Sequence, residues 1–473
     1  MNARVLLIWP DSLNEVLGWG DLGAIAEPLA LEYLGSALRA AGHEARILDL
    51  RLRRDDLART LAEYRPHLVG VTAFSMHVSR AIGICTEVKA FDPAIATIVG
   101  GHHATFLPDD FFKDAVDLVV SGDGTEAIVA AAAEAAGGAP AYGDGVHRHD
   151  PNGRFTVTGA RTRLLSRAEL DELPVPDRSL TEADRARYFI DWMRPIALLR
   201  TSVGCPYRCS FCSVWRVFEG HYHLRSIDRV VAELLAVEEE NVFLIDDEAF
   251  INGKRMLALA DAIRAAGIEK HYFTYCRIDT LLRNRDAVAA WRDIGLSRLF
   301  IGIDAISWKD LDEYNKKCSI DEIERGLEVA RELGVGVFAQ FVVNTDYRPD
   351  DFKTLERFIE RSGVEYPSFT VLTPLPGTEM LANFDSVTER QENGRPNWDL
   401  FDCQNAVTET RLPRADFRMR YRNLYRVFKG AYSQYREHVV AVHEDLAEGD
   451  ALSRPVSQTV RLGAEQMDKA SVL

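Results

Sequence analysis

Arg200-Thr-Ser-Val-Gly-Cys205-Pro-Tyr-Arg-Cys209-Ser-Phe-Cys212 is the stretch on which the reading of this chain turns. Its three cysteines stand in the spacing C-x3-C-x2-C, with the aromatic Phe211 directly before the last. A 4Fe-4S cube has four irons, and cysteine thiolates are its usual ligands. Three thiolates on one short loop can hold three irons and leave the fourth open to a substrate or cofactor. A structural zinc site is the other reading of clustered cysteines. Zinc prefers four ligands, usually from two C-x2-C-like pairs, and no second pair follows. Cys205, Cys209 and Cys212 are therefore the candidate metal ligands.

Working outward, the composition is that of an intracellular enzyme. The chain has 473 residues, enough for two or three domains with substantial cores. Cys85, Cys276, Cys318 and Cys403 are scattered, so no disulfide framework is suggested. The apolar run at the start breaks at Pro10, too early for a signal-peptide core, and no apolar stretch reaches membrane-spanning length. A cytoplasmic location is expected. Net charge is −16, from 56 basic and 72 acidic residues, which disfavours a nucleic acid as the main partner.

Residues 1–140 alternate apolar strands (4–9, 44–49, 68–72, 96–100 and 117–121) with helical stretches such as 29–41 and 78–91. This βαβ rhythm predicts an α/β fold with an open, parallel, doubly wound, Rossmann-like sheet. Ligands on such sheets bind at the carboxyl ends of the strands. There the chain places Thr72-Ala-Phe-Ser75, Gly100-Gly-His-His-Ala-Thr105 and Ser121-Gly-Asp-Gly-Thr-Glu126. Residues 141–190 loosen into turn and linker chemistry, with room for a hairpin at 145–160. Residues 191–378 bring six more strands, starting at 195–201, 241–245 and 271–275 and ending at 298–303, 335–343 and 367–372. All but the last precede a helical stretch, which predicts a partial (β/α)6 barrel with its chemistry at the strand ends. Asp246, Asp247, Glu248, Arg277 and Asp304 stand there, with Gln340 and Asn344 as weaker candidates. A helix N-terminus decorated with carboxylates is the plainer alternative for the acidic triplet, and ordinary salt bridging for Arg277 and Asp304. Thr373-Pro-Leu-Pro-Gly-Thr-Glu379 reads as a rigid turn at the mouth. A helical region is expected over 379–440 and a flexible tail over 441–473. Phe417, Tyr421, Tyr425, Phe428, Tyr432 and Tyr435 recur at helical spacing, among Arg418, Arg420, Arg422, Arg426 and Lys429. That stripe is either a packed face or an interfacial helix giving peripheral membrane contact.

The cysteine spacing resembles the signature of the radical S-adenosylmethionine (SAM) enzymes, in which SAM chelates the open iron. In that pattern the place of Asp246-Asp247-Glu248 carries a Gly-Gly-Glu-like motif receiving the methionyl ammonium. Here the charge is kept and the glycines are not. The resemblance implies SAM contacts from this triplet, Phe211, Arg277 and Asp304. The first domain is similar to the cobalamin-binding domain that precedes many radical SAM cores. This similarity implies cobalamin contacts from Ser75, Gly100, Gly101, His102, Gly122 and Glu126. One departure stands out: no D-x-H-x-x-G sequence supplies an axial histidine to cobalt. Either cobalt's lower face lacks a protein histidine, or His102 or His103 has an unusual role; a polar loop is the plainer reading of both.

Arg200 to Arg216, Phe243-Leu-Ile-Asp-Asp-Glu-Ala-Phe250 and Phe401-Asp-Cys-Gln-Asn-Ala-Val407 narrow the resemblance to the hopanoid C-3 methylase group. What it implies is methylation of an unactivated carbon of a small hydrophobic substrate. Reductive SAM cleavage would give a 5′-deoxyadenosyl radical, methylcobalamin the methyl group, and a flavodoxin- or ferredoxin-type donor the electron. The other readings are an anaerobic tetrapyrrole cyclase or oxidase with the same domain order, a methylthiotransferase, and a non-catalytic corrinoid or iron–sulfur carrier.

Overall fold

In strand β1 (Arg4–Trp9), Leu6 and Ile8 face one core while Val5 and Leu7 face another, as a sheet covered on both sides requires. The computed structural model describes residues 2–11, 24–139, 141–150, 154–159, 167–190 and 193–428. After β1 come β2 (Glu44–Asp49), β3 (Leu68–Thr72), β4 (Ala96–Gly100) and β5 (Leu118–Val120), paired in parallel in the order β2-β1-β3-β4-β5. Helices α1 (Leu29–Ala40) and α4 (Thr125–Ala135) cover one face through Leu31, Leu38 and Ile128. Helices α2 (Leu57–Tyr64) and α3 (Val78–Phe91) cover the other through Leu61, Ile84 and Val88. The doubly wound sheet is thus as the apolar pattern predicts. Part of the expected linker belongs to it as well. A hairpin, β6 (Val146–His149) and β7 (Phe155–Thr158), adds two antiparallel strands beyond β5.

The second sheet runs β8 (Ile196–Leu199), β9 (Asn241–Leu244), β10 (His271–Cys276), β11 (Leu296–Asp304), β12 (Gly336–Val343) and β13 (Tyr366–Val371), in sequence order and all parallel. Alternation sorts its side chains into two cores. Val242, Leu244, Leu299, Ile301 and Ala339 pack outward on the helices. Leu198, Phe243, Phe273 and Phe338 point into the lumen, joined by the half-buried Tyr275, Phe300 and Tyr366. The lumenal rings touch in series, with centroids 4.9 Å apart for Phe243–Phe273 and Tyr275–Phe300 and 5.5 Å for Phe300–Phe338.

A buried ionic seam joins the two domains. Glu27, just before α1, accepts the Leu198 N–H of β8 at 2.5 Å and pairs with Arg185. Arg185 also holds Glu239, while Arg178 donates to the Leu198 carbonyl at 2.7 Å. Glu32, beside Glu27, is pushed up to about 8 by burial and by that neighbouring carboxylate.

The expected helical region at 379–440 is corrected. Among the described residues it contains one α-helix, Arg414–Val427. The segment before it is irregular, interrupted by Asn393-Gly-Arg-Pro396, and buries Leu381, Val387, Trp398, Phe401 and Val407 against the first domain. The turn at Asn393-Gly-Arg-Pro396 interrupts the chain between Val387 and Trp398, so no single helix delivers these residues. In the helix, Phe417, Tyr421 and Leu424 pack on the barrel, and the Tyr421 and Tyr425 hydroxyls donate to the Phe369 carbonyl on edge strand β13. The described part of the aromatic stripe is therefore a packed face, not an interfacial one. Lys429, Tyr432, Tyr435 and the tail at 441–473 lie outside the described residues.

Candidate functional site

The cysteine loop leaves β8 at Arg200 and is held chiefly by the end of β9. The Asp246 carboxylate, fully buried, accepts from Thr201 N at 2.6 Å, Thr201 Oγ1 at 2.5 Å and Ser202 N at 3.0 Å. Asp247 Oδ2 accepts from Gly204 N at 2.8 Å. Gly204 has φ +84°, and a Cβ there would collide with the His221 carbonyl, so the turn needs glycine. Further along, Trp215 Nε1 donates to the Cys209 carbonyl at 3.0 Å and Ser210 N to the Tyr314 carbonyl at 3.0 Å. Arg277 Nη1 lies 3.7 Å from Cys209 Sγ. Burial pushes the Cys205 and Cys212 thiols up to about 12, so iron rather than solvent has to drive their deprotonation. Among the described residues no three His, Cys, Asp or Glu side chains converge on one ion. In a cube each thiolate takes its own iron, so the three cysteines need not converge on one point.

The remaining barrel candidates separate by what they already hold. Glu248 is buried, accepts from Thr280 Oγ1 at 2.7 Å and Arg277 N at 3.2 Å, and is pushed up to about 7 by burial. Arg277 is occupied on every side. It lies 3.8 Å over the Tyr207 ring, donates to Asp279 at 2.8 Å and to the Lys316 carbonyl at 2.6 Å, and touches Cys209. Asp304 ends β11 at φ +63°, a strained conformation for a non-glycine residue, and forms a buried ion pair with Lys316. Phe211 packs edge-on against Tyr314, centroids 5.3 Å apart. Two carboxylates keep an oxygen without a hydrogen bond to the described protein, Asp247 Oδ1 and the buried Glu248 Oε2, whereas both oxygens of Asp246 are spent on the cysteine loop. Cys209, Arg277, Lys316 and Asp304 thus form one chain of contacts. Lys316 was invisible in the sequence, where it is one of two adjacent lysines in a turn with no motif around it.

In the first domain a cavity of ≈ 240 Å³ opens at the carboxyl ends of β1, β3, β4 and β5. Gly100, Gly101 and Gly122 line it, as expected, together with Gly70, Thr72, Asp123 and Thr125. A Cβ on Gly70 would stand 3.0 Å from Leu7 and 3.3 Å from Ile128, closing the slot. Gly101, at φ +104°, would bring a Cβ within 2.7 Å of Ala73 N. A narrow, apolar, glycine-floored slot is what an aromatic base on a nucleotide tail requires, so the residues fit cobalamin. Three of the expected contacts do not line this slot. Glu126 is exposed on the first turn of α4, because the turn aims Asp123 and Thr125 inward instead. Ser75 is buried 3.0 Å from His103 Nδ1, and His103 Nε2 lies 3.0 Å from Asp110, itself paired with Arg395. His103 is therefore tied into the packing of the 381–407 segment. His102 Nε2 sits 2.8 Å from Ser213 Oγ, next to Cys212, and burial lowers it to about 4. It bridges the first domain to the cysteine loop as a neutral imidazole.

Two family models match the chain: the B12 binding domain over residues 19–132 and the Radical SAM superfamily over residues 199–391. Hopanoid C-3 methylase of Methylococcus capsulatus is 32% identical over 400 residues, spanning 83% of this chain and 74% of that protein. The anaerobic magnesium-protoporphyrin IX monomethyl ester cyclase of Rubrivivax gelatinosus is 25% identical over 403 residues, spanning 82% and 71%. Among solved structures, TsrM from Kitasatospora setae, a radical SAM methyltransferase with cobalamin and a 4Fe-4S cluster bound, superposes with a TM-score of 0.64. It is 20% identical, covering 84% of this chain and 83% of that one, and speaks for the fold. A non-catalytic carrier does not fit these relatives. The chain belongs to the cobalamin-dependent radical SAM enzymes, in the company of hopanoid C-3 methylase, as a methyltransferase using a 4Fe-4S cluster, SAM and cobalamin.

Proposed function

We propose that this methyltransferase acts on an unactivated carbon of a small hydrophobic, polycyclic lipid of the hopanoid class. The observation that carries the reading is the lumen: Ile245, Tyr275 and Phe300 stand half-exposed above a floor of Phe243, Phe273 and Phe338. Such a wall favours an apolar ring system and offers few polar groups to one bearing carboxylates. The bound cofactors would supply radical formation and the transferable methyl group. The chain's part is positional. Cys205, Cys209 and Cys212 would hold the cluster, and Asp246 keeps their loop in place. Asp247 Oδ1 and Glu248 Oε2, just past the end of β9, would take the SAM ammonium. Phe211 and Asp304 would be further SAM contacts. The electron would come from an external flavodoxin- or ferredoxin-type donor.

No described helix is long and apolar enough to cross a membrane; a cytoplasmic enzyme meeting its lipid at a membrane surface is part of the same proposal. A second reading, cyclisation of a tetrapyrrole, draws on the cyclase relative. Anaerobic, reduced enzyme offered a desmethyl hopanoid and, separately, a magnesium-porphyrin ester decides between them. A hopanoid gaining one methyl with S-adenosylhomocysteine supports the proposal. Conversion of the porphyrin without S-adenosylhomocysteine overturns it.

A further inference from the structure

Arg200 is the last residue before the cysteine loop, yet its side chain belongs to the other domain's cavity. It lines the ≈ 240 Å³ slot of the first domain, opposite Asp123 and Thr125 at the start of α4. The slot is otherwise apolar, walled by Leu7, Ile98, Val120 and Ile128. The Arg200 guanidinium makes no hydrogen bond, and no ion pair within 4.0 Å, with any described residue; the Asp247 carboxylate acts on it only from beyond that distance. Its backbone, in contrast, is fixed: the carbonyl accepts from Arg225 Nη1 at 2.8 Å, and the next residue is held by Asp246. The one carboxylate in the slot, Asp123, accepts the Thr125 N–H at 2.9 Å. A half-buried guanidinium facing an apolar slot is unfavourable unless an anion completes it, and its planar fork suits a phosphate oxygen pair.

We propose that Arg200, a residue of the barrel, binds the phosphodiester of the cobalamin nucleotide tail lodged in the first domain. The inference rests on cobalamin occupying this slot. It makes the cofactor a tie between the domains, because Arg200 and the loop bearing Cys205 share the anchor at Asp246. By reciprocity, a cluster-loaded loop that fixes Arg200 raises cobalamin affinity.

The test compares hydroxocobalamin with cobinamide, which keeps the corrin ring but lacks the phosphodiester, ribose and base. Absorbance titrations use the full-length chain, wild type and R200A, with and without its reconstituted cluster. R200A is expected to weaken hydroxocobalamin binding at least tenfold and cobinamide binding less than twofold, with R200K restoring part of the loss. The cluster is expected to tighten hydroxocobalamin binding in the wild type but not in R200A. Equal losses for both corrinoids, or an unchanged hydroxocobalamin affinity, overturn the proposal. Should R200A lose its circular dichroism or its iron, R200Q serves in its place under the same criteria. A wild type that binds neither corrinoid would instead refute occupation of the slot, which is a separate result.

Discussion

Replacing Asp246 with alanine separates two roles for the acidic triplet. If Asp246 is an anchor, its loss orphans three donors at once: Thr201 N, Thr201 Oγ1 and Ser202 N. Leaving a buried donor unsatisfied costs roughly 1–3 kcal/mol. Partial rehydration keeps the total on the order of 3–6 kcal/mol, a large share of a domain's usual ~5–15 kcal/mol. The loop would let go before the barrel does, because the outward core around Val242, Leu244 and Leu299 does not involve it. Asp246→Asn keeps one acceptor for both N–H groups, so about 1.5–3 kcal/mol is expected there, close to one charge-assisted bond. The assay is iron and sulfide per chain after anaerobic reconstitution, alongside thermal unfolding and SAM binding. Asp246→Ala should lose most of its cluster, Asp246→Asn should retain most of it, and SAM affinity should fall only in proportion to the cluster. A D246A protein with a full cluster and a selectively lost SAM affinity would refute the anchoring argument.

Gly70→Leu fills the first-domain slot from its floor, so cobalamin binding should fall by at least tenfold, ~1.4 kcal/mol or more, while iron content stays at wild-type level. An undiminished corrinoid titration would count against the slot. Glu32, whose folded-state pKa is about 8, binds a proton more readily folded than unfolded. Its contribution is present below the unfolded value near 4.5 and is lost as pH rises towards 8. Melting curves at pH 6.5 and 8.5 (conditions spanning roughly that window) should show a larger loss for the wild type than for Glu32→Gln. Parallel losses would contradict the buried-seam account. Phe300→Ala removes a half-exposed ring from the lumen wall and should raise the KM for an apolar substrate about tenfold, roughly 1.4 kcal/mol, with kcat less affected. A reversed pattern would place the substrate elsewhere.

The strands were legible because each is a short apolar run bounded by glycine or polar residues. Arg4–Trp9, Glu44–Asp49 and Leu68–Thr72 agree with the sequence pattern to the residue. The cysteines were legible because chemistry fixes their spacing within one loop. Long-range pairings were not. Nothing near Lys316 in sequence announces that the turn after β11 folds under Arg277 and lays an ammonium against Asp304. Glu126 and Asp123 differ only in which way one turn of backbone faces, and local composition does not encode that. His102 sits at a strand end, as the pattern indicates, but its partner Ser213 is 111 residues away, so its tie to the cysteine loop could not be read locally. The segment ending at Val407 failed for a related reason: its apolar residues serve another domain's core, so they show no periodicity of their own.

The most direct test of the account is the yield of three products from one anaerobic, reduced reaction of the cluster- and cobalamin-loaded enzyme with SAM and a desmethyl hopanoid. The account predicts 5′-deoxyadenosine, S-adenosylhomocysteine and methylated hopanoid in equal amounts, all lost when Cys209 is replaced by alanine. Methylated product without 5′-deoxyadenosine, or product formation that survives Cys209→Ala, would contradict it.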